Sequence, residues 1–453
     1  MYTPTESRLG RSPHCSQAIL TALSSALALA LVSPLHAQTT EPLPVGYGAT
    51  PELPAPKPQA IPTVKRYSAL PWKAGTAPVA ASGLKVKAFA QGLQNPRWLQ
   101  VLPNGDVLVA EANTPVRTLS STNILDVFTG WVQSAFGGSN KTANRITLLR
   151  DQDGDGVAET RSVFLSGLNS PIGMALVGDR LYIANTDGVV SVPYAAGATS
   201  ISAKPTPLTD LPTGLNKRHW TRGLIASADG RKLYASVGSG SNIAENGIAA
   251  EDGRAAIWEI DIATGQKQLF ATGLRNPVGM AWVPSTSQLW TAVNERDALG
   301  NDLVPDYITS VQRGAHYGWP WSYFGANVDA RVKPANPDKV AQAVVPDFAV
   351  GNHTASLGLA WSGAGNALPA AFQGGMVIGQ HGSWNRNPVS GYKVVFVPFG
   401  ADGKPQQEVV DVLSGFINAN RTNGRPVGVA FDGQGALLVA DDTGNTVWRV
   451  TGQ

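Results

Sequence analysis

Cysteine is nearly missing from this chain: Cys15 is the only one in 453 residues. A single thiol excludes intrachain disulfides, thiolate metal sites and a covalent c-type haem. Charge of one sign is missing as well. Thirty-five basic residues face 32 acidic ones for a net charge of +3, and no run of like charge breaks the mixture. Neither a nucleic-acid footprint nor a charged interaction tail fits that balance. Long amphipathic helical periodicity is absent, and no glycine pattern sits between a strand and a helix, which argues against a nucleotide cofactor.

Long apolar runs are also scarce. The one stretch that stands out, Ala18 to Val32, is shorter than the ~20 residues needed to span a bilayer. Arg8, Arg11 and His14 precede it, and Ser33-Pro34-Leu35-His36-Ala37 follow. This tripartite pattern reads as a secretory signal peptide over residues 1–37, cleaved after Ala37, rather than as a membrane anchor. It predicts a periplasmic or secreted protein with no stable membrane span, and a mature chain with no thiol at all.

Residues 38–82 are rich in proline (Pro42, Pro44, Pro51, Pro54, Pro56, Pro58, Pro62), which favours extended and weakly packed backbone. A leader or linker is expected there, outside the fold or draped on it. From Gly83 to Gln453 the texture changes to short apolar and β-branched runs punctuated by Gly, Asp, Asn and Pro, the pattern of strands joined by tight turns.

Within that region one motif recurs six times: Gln94-Asn-Pro-Arg-Trp-Leu99, Asn169-Ser-Pro-Ile-Gly-Met174, His219-Trp-Thr-Arg-Gly-Leu224, Arg275-Asn-Pro-Val-Gly-Met280, Thr354-Ala-Ser-Leu-Gly-Leu359 and Asn423-Gly-Arg-Pro-Val-Gly-Val429. A second apolar run follows each copy, such as Leu181-Tyr-Ile-Ala184 or Leu437-Leu-Val-Ala440. The spacing leaves room for several strands per unit, which matches the blades of an all-β, six-bladed β-propeller. A β-sandwich is the competing fold, but its strands rarely repeat one motif. The near-constant glycine suits inner strands crowded around a channel, where a missing side chain lets backbones approach.

Residues just ahead of the glycines should therefore ring one mouth of the channel. The copies diverge there into Gln94 and Asn95, Asn169, His219, Arg275 and Asn276, His353, and Arg425. Taken singly, His219 fits a structural histidine and the arginines fit ion pairs between blades. Taken together, they suit a polyanionic ligand and a step in which a proton is lost, because arginine forks grip carboxylates and histidine titrates near neutrality.

The segments His219-Trp-Thr-Arg-Gly-Leu224, Gly273-Leu-Arg-Asn-Pro-Val-Gly279, Asn294-Glu-Arg-Asp297, Asp302-Leu-Val-Pro-Asp-Tyr307, His316-Tyr-Gly-Trp-Pro320, Gln380-His-Gly-Ser-Trp-Asn-Arg386 and Gly424-Arg-Pro-Val-Gly428 carry a resemblance. The chain resembles the soluble pyrroloquinoline quinone (PQQ)-dependent sugar dehydrogenases, most closely their sorbosone and pyranose dehydrogenase branch. That resemblance implies oxidation of an aldose or sugar aldehyde at C1, with PQQ and Ca²⁺ as cofactors and an external electron acceptor. It implies His219 as the general base and Arg275 and Asn276 as quinone contacts. Arg425 would hold a PQQ carboxylate, and His381 or Arg386 would take the place of a cofactor-binding lysine. Their place in the ring alone puts His353 and Asn169 in the pocket. Backbone carbonyls of Glu295 and Arg296 would hold a bridging calcium. A second calcium would lie by Asp306 and the carbonyl of Tyr317.

Asp151-Gln-Asp153-Gly-Asp155-Gly156 opens like a calcium loop, but Ser162 stands where the closing glutamate belongs, so a hairpin turn is favoured. Two other functions compete with sugar oxidation: a metal-dependent propeller lactonase, and a non-catalytic propeller that captures a sugar or peptide.

Overall fold

Two textures of strand account for the architecture. Runs such as Val107–Glu111 and Leu437–Asp441 are buried at every position, as expected of strands covered on both faces. Others, such as Thr160–Leu165 and Lys267–Thr272, are half exposed and mark the outer edges. The computed structural model describes residues 43–59, 63–65, 67–115, 142–213, 218–418 and 421–453. The predicted signal peptide lies outside the described residues, as does the whole segment from 116 to 141.

Among the described residues the strands form six antiparallel sheets of four or five strands, with two small sheets besides. Sheet I comprises Pro96–Val101, Val107–Glu111, Arg145–Arg150 and Thr160–Leu165, and sheet II comprises Met174–Val177, Arg180–Asn185, Gly188–Pro193 and Thr206–Asp210. Sheet III runs through Leu224–Ala226, Lys232–Val237, Ala256–Asp261 and Lys267–Thr272. Sheet IV holds Pro277–Val283, Gln288–Val293, Pro305–Ser310 and Phe348–Asn352, and sheet V holds Ser356–Ser362, Gly375–Gln380, Lys393–Pro398 and Val410–Ser414. In sheet VI, Pro426–Phe431, Leu437–Asp441 and Thr446–Gly452 are joined by Leu84–Ala90 from the other end of the chain.

Every sheet thus begins at one copy of the sequence motif. The glycines explain why. A Cβ on Gly223 would lie 2.1 Å from the carbonyl oxygen of Val278, and one on Gly358 would lie 2.1 Å from that of Val427. Gly173 meets Leu224, Gly279 meets Leu357, and Gly428 meets Arg97. Each inner strand therefore touches the next at a point where no side chain fits. Sheet I departs from this pattern by carrying Trp98, which packs with Ile172 and Trp220 on one side and Val278, Leu357 and Val427 on the other. Farther along the same strands, Gln100, Met174, Leu224, Met280, Leu359 and Val429 line a cavity of about 320 Å³.

Between the sheets lie the hydrophobic cores. Leu108, Ile146 and Phe164 of sheet I pack on Leu181 and Ile183 of sheet II, and equivalent clusters join II to III, III to IV, IV to V, V to VI and VI to I.

The proline-rich segment is built into this unit. Tyr47–Gly48 extends sheet IV and Val79–Ala80 extends sheet V. Ser68–Ala69 pairs with Arg421–Thr422, while Lys57, Gln59 and Lys65 donate backbone bonds to Leu299, Ala298 and Trp384. Residues 43–453 form one compact unit, and the described part of the leader lies as a strap on the sheets, the draped one of the two arrangements expected. Its prolines favour extended backbone but leave enough N–H groups to pair.

Candidate functional site

The first residues of the motif and the loops after the second strands converge on one side of the sheets. His219 precedes the inner strand of sheet III. Its backbone is left-handed (φ +44°), as is that of His353 (φ +55°), a conformation non-glycine residues adopt only where their surroundings impose it. Nδ1 of His219 lies 2.8 Å from the carbonyl oxygen of Ser239 and 3.1 Å from its hydroxyl. A carbonyl can only accept, so Nδ1 carries the proton and Nε2 keeps its lone pair. Burial and the nearby Arg275 guanidinium push the imidazole well below its ordinary pKa, which keeps it neutral and ready to accept a proton.

Arg275 and Asn276 open sheet IV beside it. The backbone N–H of Ser239 donates to the carbonyl of Arg275 at 2.8 Å, and Asn276 Oδ1 occupies the space where a Cβ on Gly238 would lie, next to His219. The guanidinium of Arg275 donates to Asn294 Oδ1 (2.8 Å), to the carbonyl of Glu295 (2.6 Å) and to Asn242 Oδ1 (3.0 Å), and pairs with Asp297 at 3.3 Å. Burial works against charge on Asp297, but His353, Arg275 and Asn385 outweigh it and hold the carboxyl far below the usual carboxylate range. His353 is buried between that carboxylate (3.6 Å) and the carbonyl of Gly300 (3.0 Å). Although burial opposes its charge, Asp297 raises its pKa.

Opposite this group, Arg425 gives Nε to the carbonyl of His381 (2.8 Å) and Nη2 to that of Gly382 (2.7 Å), over the ring of Tyr392. His381 Nε2 reaches Asp442 at 2.9 Å. Asp442 also pairs with Arg97, whose guanidinium stacks on Trp220, the neighbour of His219. Burial works against charge on Asp442, but His381, Arg97 and Arg425 hold its carboxyl well below the ordinary range. His381 itself is pushed down to about 4 by burial and Arg425.

His219, Arg275, Asn276, His353, Arg425 and His381 are thus joined through shared neighbours. Asn169 is exposed and donates to Asp187 (2.7 Å), and Arg386 is committed to Asn301, Asp302 and Pro388. Asp297, Asp442, Arg97 and Ser239 were not singled out from the sequence. They fall mainly at the ends of second strands, where Glu111, Asn185 and Asp441 also stand; that shared position was the available signal.

Two of the expected metal ligands, the Glu295 carbonyl and the Asp306 carboxylate, already accept hydrogen bonds. The Glu295 carbonyl accepts from Arg275, as above. The Arg296 side chain is buried on Asp329 and the carbonyls of Pro320 and Ser322. Asp306 accepts from Glu295 N, Thr354 Oγ1 and Ser356 N at 2.8–3.0 Å, with burial raising it to about 6. Tyr317 donates to the carbonyl of Ser310 within the core between sheets III and IV. In sheet I, Asp151, Asp153 and Asp155 cluster with Glu159 within 4.8 Å, in the turn joining the third strand to the fourth. Glu159, not the twelfth loop position, supplies the fourth carboxylate.

No described helix is long and apolar enough to cross a membrane. A PQQ-dependent sugar dehydrogenase of Hypocrea jecorina is 24% identical over 413 residues, covering 81% of this chain and 87% of that one. The holo PQQ domain of Coprinopsis cinerea pyranose dehydrogenase superposes with a TM-score of 0.65 at 21% identity, over 86% of this chain and 98% of that one. The calcium structure of a Trichoderma reesei enzyme of carbohydrate-active family AA12 gives the same score at 19% identity, over 87% and 100%. A TrAA12-like family model matches residues 138–310 and 327–453, more than half of the sequence, and the chain belongs to that family.

Proposed function

We propose that this chain is a six-bladed β-propeller that oxidises a sugar, an aldose or a sugar aldehyde such as sorbosone, at C1 with PQQ as cofactor. The observation that carries the reading is a neutral imidazole, His219, with its Nε2 lone pair available beside arginines placed around one mouth. Among the described residues, three buried polar atoms there lack partners: Arg275 Nε, Asn276 Oδ1 and Arg97 Nε. Buried polar atoms without partners are uncommon, and these suit a planar, polyanionic ligand. When bound, PQQ supplies the acceptor for the hydride that leaves C1. His219 Nε2 takes the proton of the C1 hydroxyl in the same step, so a lactone results, or an acid where an aldehyde hydrate reacts. Arg425 would orient a carboxylate of the ligand, Arg275 and Asn276 would contact its quinone, and the Ser239 carbonyl keeps the imidazole ring from turning. With no thiol after Cys15, the electrons then pass to an external acceptor.

The calcium-bound fungal relative supports calcium as a companion ion. The Glu295 carbonyl, however, already accepts from a guanidinium, and a divalent cation on the same oxygen would face that charge. The Glu295 carbonyl therefore does not fit the ion as it stands, and no step is routed through a metal. The lactonase alternative needs carboxylates free to hold a metal. Asp297 and Asp442, the carboxylates nearest the histidines, are both paired with cations.

The test is titration of metal-stripped protein with PQQ, with and without calcium, followed by absorbance and by dye-linked oxidation of a panel of aldoses and sugar aldehydes. Dye reduction that appears only with PQQ is expected. His219→Gln should still bind PQQ while losing about 10²–10⁴ of turnover. Failure to bind PQQ would overturn the reading in favour of a lactonase or a binding propeller.

A further inference from the structure

Arg254 precedes the third strand of sheet III and is 4% exposed. Every hydrogen bond it makes among the described residues goes to a backbone carbonyl. Nε donates to Gly238 (3.1 Å), Nη2 to Ser239 (3.0 Å) and Arg218 (2.7 Å), and Nη1 to Thr213. Its nearest carboxylate, Glu251, instead accepts from the N–H of Gly240 and the hydroxyl of Ser241. A buried guanidinium satisfied by neutral carbonyls alone is a costly arrangement, so its targets are informative. Thr213 and Arg218 lie ahead of His219 in the chain, and Gly238 and Ser239 form the loop against which the imidazole rests. The Ser239 carbonyl receives His219 Nδ1 and Arg254 Nη2 together, one on each lone pair.

We infer that Arg254 is a positioning residue for the base, clamping these two segments so that His219 holds its proton on Nδ1 and presents the Nε2 lone pair to the substrate. The inference rests on His219 being that base. A carboxylate in the place of Ser239 would favour an imidazolium. A neutral carbonyl favours it only weakly, and the guanidinium behind that carbonyl disfavours a second positive charge on the ring. The hydrogen bond to Ser239 acts towards protonation, but burial and the charged groups facing His219 outweigh it: Arg275 from sheet IV, Arg218 from its own segment and Arg254 from ahead of the third strand, with Asn276 neutral. The consequence is a base that stays unprotonated in mildly acidic surroundings.

The experiment compares wild type, Arg254→Gln and Arg254→Lys in the full chain reconstituted with PQQ and calcium. It reads kcat/KM against pH, together with the ¹⁵N shifts of the His219 ring in the unreconstituted protein, assigned by their loss in His219→Gln. In Arg254→Gln the acid limb should move up by about one pH unit, kcat should fall about tenfold, and the ring signals should show mixed tautomers. Arg254→Lys keeps the charge but not the fork, so the acid limb should stay in place while kcat falls and the Nδ1 shift moves. If Arg254→Gln does not fold, the lysine variant decides. Wild-type ring shifts in whichever variants fold, with activity lowered equally at every pH, would overturn the inference. Turnover surviving in His219→Gln would sink the assignment of the base, while the ring shifts would still show whether Arg254 controls the imidazole.

Discussion

At the residue scale, Asp442 shows how the mouth holds a guanidinium and an imidazole together. Its carboxylate takes Arg97 from sheet I and His381 from sheet V, and its pKa lies well below the ordinary 3.8 of an aspartate. A depressed carboxyl contributes stability that is fully present above the unfolded value. That stability is lost as pH falls from about 3.8 towards the folded value. Asp442→Asn should therefore cost about 3 kcal/mol or more at pH 7, because Arg97 and His381 lose their partner. The gap to wild type should narrow between pH 4 and pH 2.5. Urea midpoints at pH 7 and at pH 3 read the difference directly, and an equal gap at both would refute the electrostatic account. His219 and Arg275 were legible in the sequence because they stand at a repeated position. Asp442 was not, since its partners lie 345 and 61 residues away and no local pattern links them.

At the element scale, the six inner strands were readable because their geometry is local. A close approach at the same point of five units leaves a glycine at the same point of five of the six motifs. The strap over residues 43–82 was not readable in this way. Proline marks it as extended but says nothing of what it lies on, and its anchor is a tertiary one. Trp72 donates to the buried carboxylate of Asp441 at 2.8 Å and packs edge-on against Phe416 and Trp448. The close contacts at the motif glycines predict a sharp contrast between Gly358, in the inner strand of sheet V, and Gly363, just past its end. Gly358→Ala places a methyl 2.1 Å from the Val427 carbonyl, so two inner strands must separate, whereas a Cβ on Gly363 meets nothing nearer than 3.8 Å. The first substitution should cost roughly 3 kcal/mol and the second no more than about 0.5 kcal/mol, measured by urea unfolding. Similar costs at the two sites would mean that the motif glycines serve the backbone of their own strand rather than the contact between strands.

At the scale of the whole molecule, the first and last long strands among the described residues are paired in one sheet. Leu84–Ala90 pairs along Thr446–Gly452, with Val86 opposite Val450, and the same sheet shares cores with sheet V and sheet I. Losing that pairing would free one edge of each neighbouring core, so the damage should not stay where it is made. Val450 is fully buried and sits between two strands, opposite Leu437 on one side and Val86 on the other. Val450→Pro removes a ladder N–H and inserts a ring where a central strand has no space, at a cost on the order of 3 kcal/mol. Hydrogen exchange distinguishes the two ways of absorbing that cost. If the sheets form one cooperative unit, protection should fall by the same free energy in sheet III, on the other side of the molecule, as in sheet VI. If protection falls only over residues 84–90 and 446–452, the ends merely fray and each sheet is held mainly by its own neighbours. Cooperative loss is expected, because the mouth that carries His219 draws its residues from sheets III, IV, V, VI and I and keeps its geometry only while all of them stay in place.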